Sequence, residues 1–246
     1  MDIIEVFKEF IFHESLTLVV FTLILLFSAL YFGISMLFKL TISCLIKRDL
    51  ASKIVLSKKF PNQLKHEILH SLYSVLIFAL YGLLIIVLIR NGILDVHFKL
   101  DYFIFIDLVI LIIWNEIHFY LCHRIMHTQP LIRLHAVHHK SKVVTPFSTY
   151  SFHPIESVLN GTVLIIPMFF YSFGVFALFL FPIYHLTFNT IGHTNIKIKW
   201  GNVFNKSIKI SSRHNSHHTK FHVSYGFATP YMDYLFTKKT RNQYDK

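Results

Sequence analysis

The sequence contains few charged residues and particularly few acidic ones. Charged residues make up 15% of the 246 residues, 13 Asp and Glu stand against 24 Lys and Arg, and 54% of the residues are hydrophobic. A soluble domain normally carries about 25% charged residues. The composition therefore excludes an ordinary soluble domain, and it excludes a disordered chain more firmly still.

Cysteine and glycine are also scarce. The two cysteines, Cys44 and Cys122, lie inside apolar stretches, so neither a disulfide framework nor a thiolate site for zinc or an iron–sulfur cluster is available. The eight glycines never occur as G-x-G, and the sequence has no Walker loop or C-x-x-C-H haem motif. Any electrons that a redox reaction requires must therefore come from a separate protein.

Long uncharged runs are what the sequence has instead. We predict membrane-spanning helices over the uncharged residues 16–38 and 72–89 and over residues 102–122, which contain Asp107 and Glu116. At about 1.5 Å per residue, each run crosses most or all of a hydrocarbon core of roughly 30 Å. A further apolar stretch contains Pro167 and Pro182, which favours a helical hairpin over residues 157–190 rather than one helix. The expected fold is all-α: a single membrane domain over residues 1–246 with about four or five membrane helices or half-helices.

The basic residues indicate how these helices are oriented. They concentrate between the first two spans, after the third span and in the C-terminal tail, and these three segments fall on the same side of the membrane. The positive-inside rule makes that side cytoplasmic, in either a bacterial inner membrane or an endoplasmic reticulum. This topology signal accounts for the net charge of +11, so we do not expect a nucleic-acid partner.

Histidine is unusually abundant, with 17 residues, and it is clustered on the predicted cytoplasmic side. The three clusters are His123 and His127; His135, His138 and His139; and His214, His217 and His218. Residues four apart share one face of a helix, so each cluster can direct two imidazoles at one metal. The two H-x-x-H-H sequences look like equivalent halves of one site, and eight histidines suffice for two ions. Imidazole suits iron, zinc and copper, so spacing alone leaves the metal open.

These histidines occur within a longer pattern. The segments are WNEIHFYLCHRIMH (residues 114–127), HAVHH (135–139), HPIE (153–156), GHTN (192–195) and HNSHHTKFHVSYGFATPYMD (214–233). Their order and spacing resemble the fatty acid hydroxylase and sterol desaturase superfamily of integral-membrane, non-haem di-iron enzymes. The resemblance implies a catalytic region over residues 114–236 that is closed by a cytoplasmic, histidine-rich di-metal site.

The resemblance also implies a ligand set and a reaction. The ligands and catalytic residues would be His123, His127, His135, His138, His139, His193, His214, His217 and His218, with His153 as a further ligand or helix cap. They would hold two iron ions, for which zinc can substitute. The implied reaction hydroxylates or desaturates a C–H bond of a sterol, fatty acyl or sphingolipid substrate with O2. We expect its electrons to come from a small haem protein, or from a ferredoxin with its NAD(P)H reductase, docked on the basic face.

Two other functions remain open at this point. His66-Glu67-Ile68-Leu69-His70 matches the H-E-x-x-H motif of zinc proteases, so the chain could be a membrane zinc hydrolase or protease that uses this motif or the larger cluster. A non-enzymatic metal carrier or sensor is less well supported, because a transport path usually places ionisable groups inside the spans.

Overall fold

The computed structural model of the protein describes residues 2–199 and 205–236, with the side chains of residues 205–208 left out of the description. The helices of the described residues are α1 Ile3–Lys8, α2 Leu16–Lys47, α3 Gln63–Arg90, α4 Phe103–Met126, α5 Ile132–His139, α6 Pro154–Met168, α7 Val175–Gly192, α8 Asn205–Lys220 and α9 Tyr231–Phe236. A π-helical turn, Glu9–His13, follows α1, and a 3-10 turn, Pro146–Ser148, precedes α6.

Four of these helices, α2, α3, α4 and α7, are long and apolar enough to cross a membrane. Between α4 and α7 lies α6, a shorter apolar helix of 15 residues. It begins with Pro154, and the N–H that proline lacks would have no partner within the helix at this position. The predicted all-α membrane fold is confirmed. In the range where the sequence predicted a hairpin, the structure has α6 and α7 joined by a short connection.

Two short strand pairs occur at the ends of the helices. Strand β1, Ala51–Lys53, pairs antiparallel with β4, Ile196–Ile198, and strand β2, Val96–His97, pairs in parallel with β3, Phe173–Gly174. These pairings tie the chain that follows α2 to the chain that follows α7, and the chain that follows α3 to the start of α7. Such short strands carry no hydrophobic periodicity by which a sequence could predict them.

A buried carboxylate holds the turn between α6 and α7. Asp107, on α4, is fully buried, and it accepts hydrogen bonds from the Tyr171 hydroxyl at 3.0 Å and from the Gly174 backbone N–H at 2.7 Å. Gly174 has no space for a larger residue, because a β-carbon there would lie 2.9 Å from the His97 ring. The carboxylate in this span therefore has a structural role.

Hydroxyl groups on α2 and α3 fix the loop that follows α5. The Tyr31 hydroxyl donates to the Phe147 carbonyl at 2.8 Å, and the Ser74 hydroxyl donates to the Tyr150 carbonyl at 2.7 Å. Ser35 donates to the Pro146 carbonyl at 3.0 Å. Because all of these groups are buried, each hydrogen bond satisfies a carbonyl that has no access to water. The loop is thereby held rigidly against the spans.

Candidate metal centre

Four segments bring histidines together at one end of the helix bundle: the end of α4, all of α5, the end of α7, and α8. Nine histidines form two groups, and within each group the ligand atoms lie within 4.8 Å of one another. The five-histidine group consists of His123, His127, His135, His139 and His217, and the four-histidine group consists of His138, His193, His214 and His218. These are the nine residues that the sequence resemblance implied as ligands besides His153.

Each H-x-x-H-H sequence divides its histidines between the two groups. His135 and His139 join the five-histidine group, whereas His138 joins the four-histidine group. The second sequence does the reverse, since His214 and His218 join the four-histidine group and His217 joins the other. Residues four apart share a helix face, and adjacent residues are about 100° apart around a helix, so neighbouring histidines point at different groups.

Several imidazoles face one another through their Nε2 atoms. The Nε2 atoms of His135 and His139 are 3.0 Å apart, those of His127 and His217 are 3.1 Å apart, and those of His214 and His218 are 3.0 Å apart. Two nitrogens that bind one metal at about 2.1 Å and at a right angle are separated by about 3.0 Å. The spacing of these pairs therefore fits a shared metal ion.

Four of the histidines are oriented through their other ring nitrogen. His123 and His217 donate from Nδ1 to the backbone carbonyls of Tyr225 at 3.0 Å and Val223 at 2.7 Å. The other two bond to polar side chains. His135 Nδ1 lies 2.8 Å from Glu156 Oε1, and His193 Nδ1 lies 2.7 Å from Ser148 Oγ. A neutral imidazole carries one N–H, so these bonds leave Nε2 as a lone pair for a metal.

Buried ring nitrogens without a partner give a further test of this fit. His193 Nε2 is buried and makes no hydrogen bond, although the other nitrogen of that ring is bonded to Ser148. Buried polar atoms normally have partners, and a metal ion would supply one here. The unpaired Nε2 of His193 thus fits a metal ion better than a metal-free polar core.

Burial keeps these imidazoles neutral, which metal binding requires. Desolvation, followed by the charge of nearby His135, lowers the pKa of His127 to about 3, and the same two causes with Arg213 lower the pKa of His214 to about 3. Desolvation also lowers the pKa of His193, with a contribution from neighbouring His214. Protons therefore do not compete for these ligands near neutral pH.

A strap formed by residues 222–229 covers the five-histidine group and supplies the carbonyls that orient His123 and His217. Two carboxylates hold it in place. Glu116, on α4, accepts backbone N–H bonds from Ala228 at 3.0 Å and Thr229 at 3.2 Å, and Asp233 accepts those of Tyr225 at 2.9 Å and Gly226 at 3.0 Å. Sequence reasoning gave these acids no role, and the only signal was that acidic residues are rare in this region.

His153 lies outside both groups. It precedes α6, and its Nδ1 accepts a hydrogen bond from the Ile155 backbone N–H at 3.2 Å, which makes it a helix cap. Of the two interpretations left by the sequence, the contacts favour the cap over the ligand. Three residues after His153, in the first turn of α6, Glu156 meets His135.

The H-E-x-x-H residues occupy the start of α3. The His66 and His70 rings lie 4.4 Å apart, but the Glu67 side chain is fully buried elsewhere. Glu67 accepts hydrogen bonds from Gln63, Ser141 and Thr145 at 2.6, 2.9 and 2.6 Å. With these partners the Glu67 carboxylate anchors the loop after α5. It is not directed between His66 and His70, where the general base of a zinc protease would activate water.

Replacing Glu156 with glutamine is expected to weaken metal binding at the five-histidine group by about 10- to 100-fold, because a neutral amide no longer fixes the His135 ring as a carboxylate does. Competition with a chelator of known affinity measures this change. Glu9→Gln, at an exposed position, is the control. Equal metal retention in Glu156→Gln and the control would show that the carboxylate does not support the ligand.

The fold and the site together define a protein with four helices able to cross a membrane and two adjacent groups of histidines that could each hold a metal ion. The family model for fatty acid hydroxylase matches residues 108–238, which is more than half of the chain, and the chain belongs to this family. That range includes all nine histidines of the two groups.

The names of individual relatives are more specific than the description of the family. The chain is 28% identical over 158 residues to Delta(7)-sterol 5(6)-desaturase ERG3 of Saccharomyces cerevisiae, covering 59% of this chain and 40% of the relative. It is 24% identical over 181 residues to lathosterol oxidase of Homo sapiens, covering 67% and 57%. The putative Delta(7)-sterol-C5(6)-desaturase 2 of Arabidopsis thaliana is 28% identical over 165 residues, covering 61% and 55%. The chain thus spans about half the length of these curated relatives, and no solved structure matches it.

Proposed function

We propose that the protein is a membrane-bound, non-haem di-iron oxidoreductase that uses O2 to hydroxylate or desaturate a C–H bond of a lipid, with a sterol as the favoured class. The observation that carries the proposal is the pair of adjacent histidine groups at one end of a membrane helix bundle. Membership in the fatty acid hydroxylase family and the sterol-oxidising names of the relatives support the substrate class.

Iron is the proposed metal, with one ion in each group. When bound, two irons supply the redox chemistry that activates O2. Zinc has the same preference for imidazole but no redox chemistry, so it can occupy the groups without supporting oxidation. Carboxylate di-iron sites of helical bundles use several inward glutamates, whereas the only carboxylate in contact with a grouped histidine in the described residues is Glu156.

The protein's own residues would hold, orient and shield the metals. The histidines of the two groups would bind the metals. Glu156 orients the ring of His135, the strap carbonyls orient those of His123 and His217, and Ser148 orients that of His193. The phenyl rings of Phe152 and Phe221 lie against His138 and His139, with centroids 5.0 and 4.3 Å apart, which helps to exclude water. A dry site protects a reactive oxidant from side reactions.

The remaining partners follow from the same proposal. Electrons reach the site from a separate small haem protein, or from a ferredoxin with its NAD(P)H reductase. Such donors dock on the basic side of the protein, where Arg124, Arg133 and Lys140 lie near the histidine segments and attract an acidic partner. The positive-inside rule makes that side cytoplasmic, in a bacterial inner membrane or an endoplasmic reticulum.

A turnover assay tests the proposal. The iron-loaded full chain in lipid nanodiscs, with a ferredoxin, its reductase and NADPH, is expected to oxidise a Δ7-sterol such as lathosterol and to consume O2, whereas the zinc-loaded chain is inactive. Incorporation of ¹⁸O from labelled O2 into the sterol would indicate hydroxylation, and a new double bond without label would indicate desaturation. If zinc-loaded protein instead hydrolysed an ester or amide, the oxidoreductase assignment would be wrong.

A further inference from the structure

An apolar groove in the membrane part of the molecule leads to the histidines. It lies between α2, α3, α6 and α7 and is walled by side chains such as Phe27, Phe78, Leu164 and Phe181. We call it the membrane groove.

The membrane groove and the histidine site meet at Asn160. This residue lines the groove, and it also lines a second cavity whose walls include His123 and His135 of the five-histidine group and His138 of the other. Asn160 is four residues after Glu156 on α6, so it lies on the same helix face, about one turn of 5.4 Å further from the metals. Among the described residues, the Asn160 amide has no hydrogen-bond partner.

A second polar group faces the same groove. His185, on α7, lines it, and the Tyr150 hydroxyl lies 3.2 Å from His185 Nδ1. This phenol has no acceptor except His185 in the described part of the chain, so it donates to Nδ1 and leaves the proton of the imidazole on Nε2. That Nε2–H has no protein acceptor there, and it provides a hydrogen-bond donor in an otherwise apolar groove.

The His185 ring is connected to the metal site by packed aromatic rings. It stacks on Phe227 of the strap with centroids 5.1 Å apart, Phe227 packs on Phe119 at 4.9 Å, and Phe119 packs on His123 at 5.2 Å. This continuous packing holds His185 at a fixed position relative to the five-histidine group. The membrane groove, the Asn160 amide and the His185 imidazole are therefore parts of one preorganised site.

Resting on the proposed function, we infer that the membrane groove binds an elongated apolar lipid that carries a single hydroxyl, and that Asn160 and His185 recognise this oxygen. The lipid oxygen accepts from His185 Nε2 and exchanges a hydrogen bond with the Asn160 amide, while the apolar body occupies the rest of the groove. This places the hydroxyl-bearing end of the lipid within about one helical turn of the cavity beside the metals. A hydrocarbon without oxygen would leave two polar groups desolvated and unpaired.

Binding measured without turnover tests the inference. The probes are radiolabelled lathosterol and its 3-deoxy analogue, which differ only in the hydroxyl, and the protein is the full metal-loaded chain in nanodiscs without an electron donor. Wild type is expected to bind lathosterol about tenfold more tightly than the deoxy analogue, a ratio in keeping with one or two hydrogen bonds. His185→Phe, which retains a ring against Phe227, and Asn160→Leu should each bring this ratio close to one.

Two further variants separate recognition from folding. Tyr150→Phe removes only the hydroxyl that orients His185, so it should reduce the ratio while the metal content stays at the wild-type level. Tyr184→Phe, on the same helix but outside the groove, should leave the ratio unchanged. A wild-type ratio near one, or no binding of either probe, would overturn the inference, and so would an unchanged ratio in His185→Phe. Oxidation of lathosterol by a chain with a ratio near one would overturn this inference and leave the proposed function standing.

Discussion

Replacing His193 with alanine is expected to reduce the metal content from about two ions per chain to about one. His193 belongs only to the four-histidine group, and its unpaired Nε2 is buried there. If a structural metal site of four ligands is worth about 10–16 kcal/mol, each ligand contributes about 2.5–4 kcal/mol, so its loss weakens binding by about 60-fold or more. Metal analysis by mass spectrometry after dialysis against a chelator measures the change.

The complementary variant is His127→Ala, which should remove the ion of the five-histidine group and leave the other in place. A double variant should contain neither ion. Each single variant is expected to lose lipid oxidation by about a thousandfold, because a metal contributes several kcal/mol to the stabilisation of a transition state. His66→Ala is the control and should keep both ions. Loss of all metal in either single variant would show that the groups form one site rather than two.

The sequence predicted which histidines lie close together better than it predicted how they divide between the two groups. Spacing of four residues indicates that His123 and His127 share a helix face, and the structure has both in one group. The angle of about 100° between adjacent helix residues separates His138 from His139, but spacing does not show which histidines of other segments join each of them. His217 and His218 come from α8, and their pairing with the histidines of α5 is a tertiary contact with no local signal. His193 had no clustered partner, and only the family resemblance pointed to it.

The supporting contacts were harder to predict for the same physical reason. Glu116 and the strap are separated by more than a hundred residues, as are Tyr31 and the carbonyl of Phe147. A hydrophobic run predicts that a helix crosses the membrane, but it does not predict which buried hydroxyl or carboxylate meets which backbone group. The long apolar runs therefore predicted the class of fold, whereas the polar contacts that hold the site depended on the assembled structure.

Replacing Glu67 with alanine is expected to destabilise the protein by about 3–5 kcal/mol, which is among the largest effects of a single substitution. The carboxylate is fully buried and accepts bonds from Gln63, Ser141 and Thr145, so its removal leaves three buried donors without an acceptor. The loop that Glu67 anchors also carries Ser148, which orients His193. Both thermal unfolding in detergent and metal content should therefore respond, with a fall in Tm of about 10 °C or more.

Glu67→Gln distinguishes this anchor from the general base of a zinc hydrolase. Glutamine keeps the volume and one acceptor oxygen, so an anchor should lose about 1–2 kcal/mol of stability and retain lipid oxidation. A base that activates water would show the opposite pattern, since an amide cannot take a proton and the fold would be little affected. Because Glu67 accepts hydrogen bonds from Ser141 and Thr145 of the loop after α5, we expect Glu67→Gln to lower the stability of the protein rather than its activity. His70→Ala completes the comparison, because a hydrolytic zinc site would lose its metal whereas the two histidine groups would keep theirs.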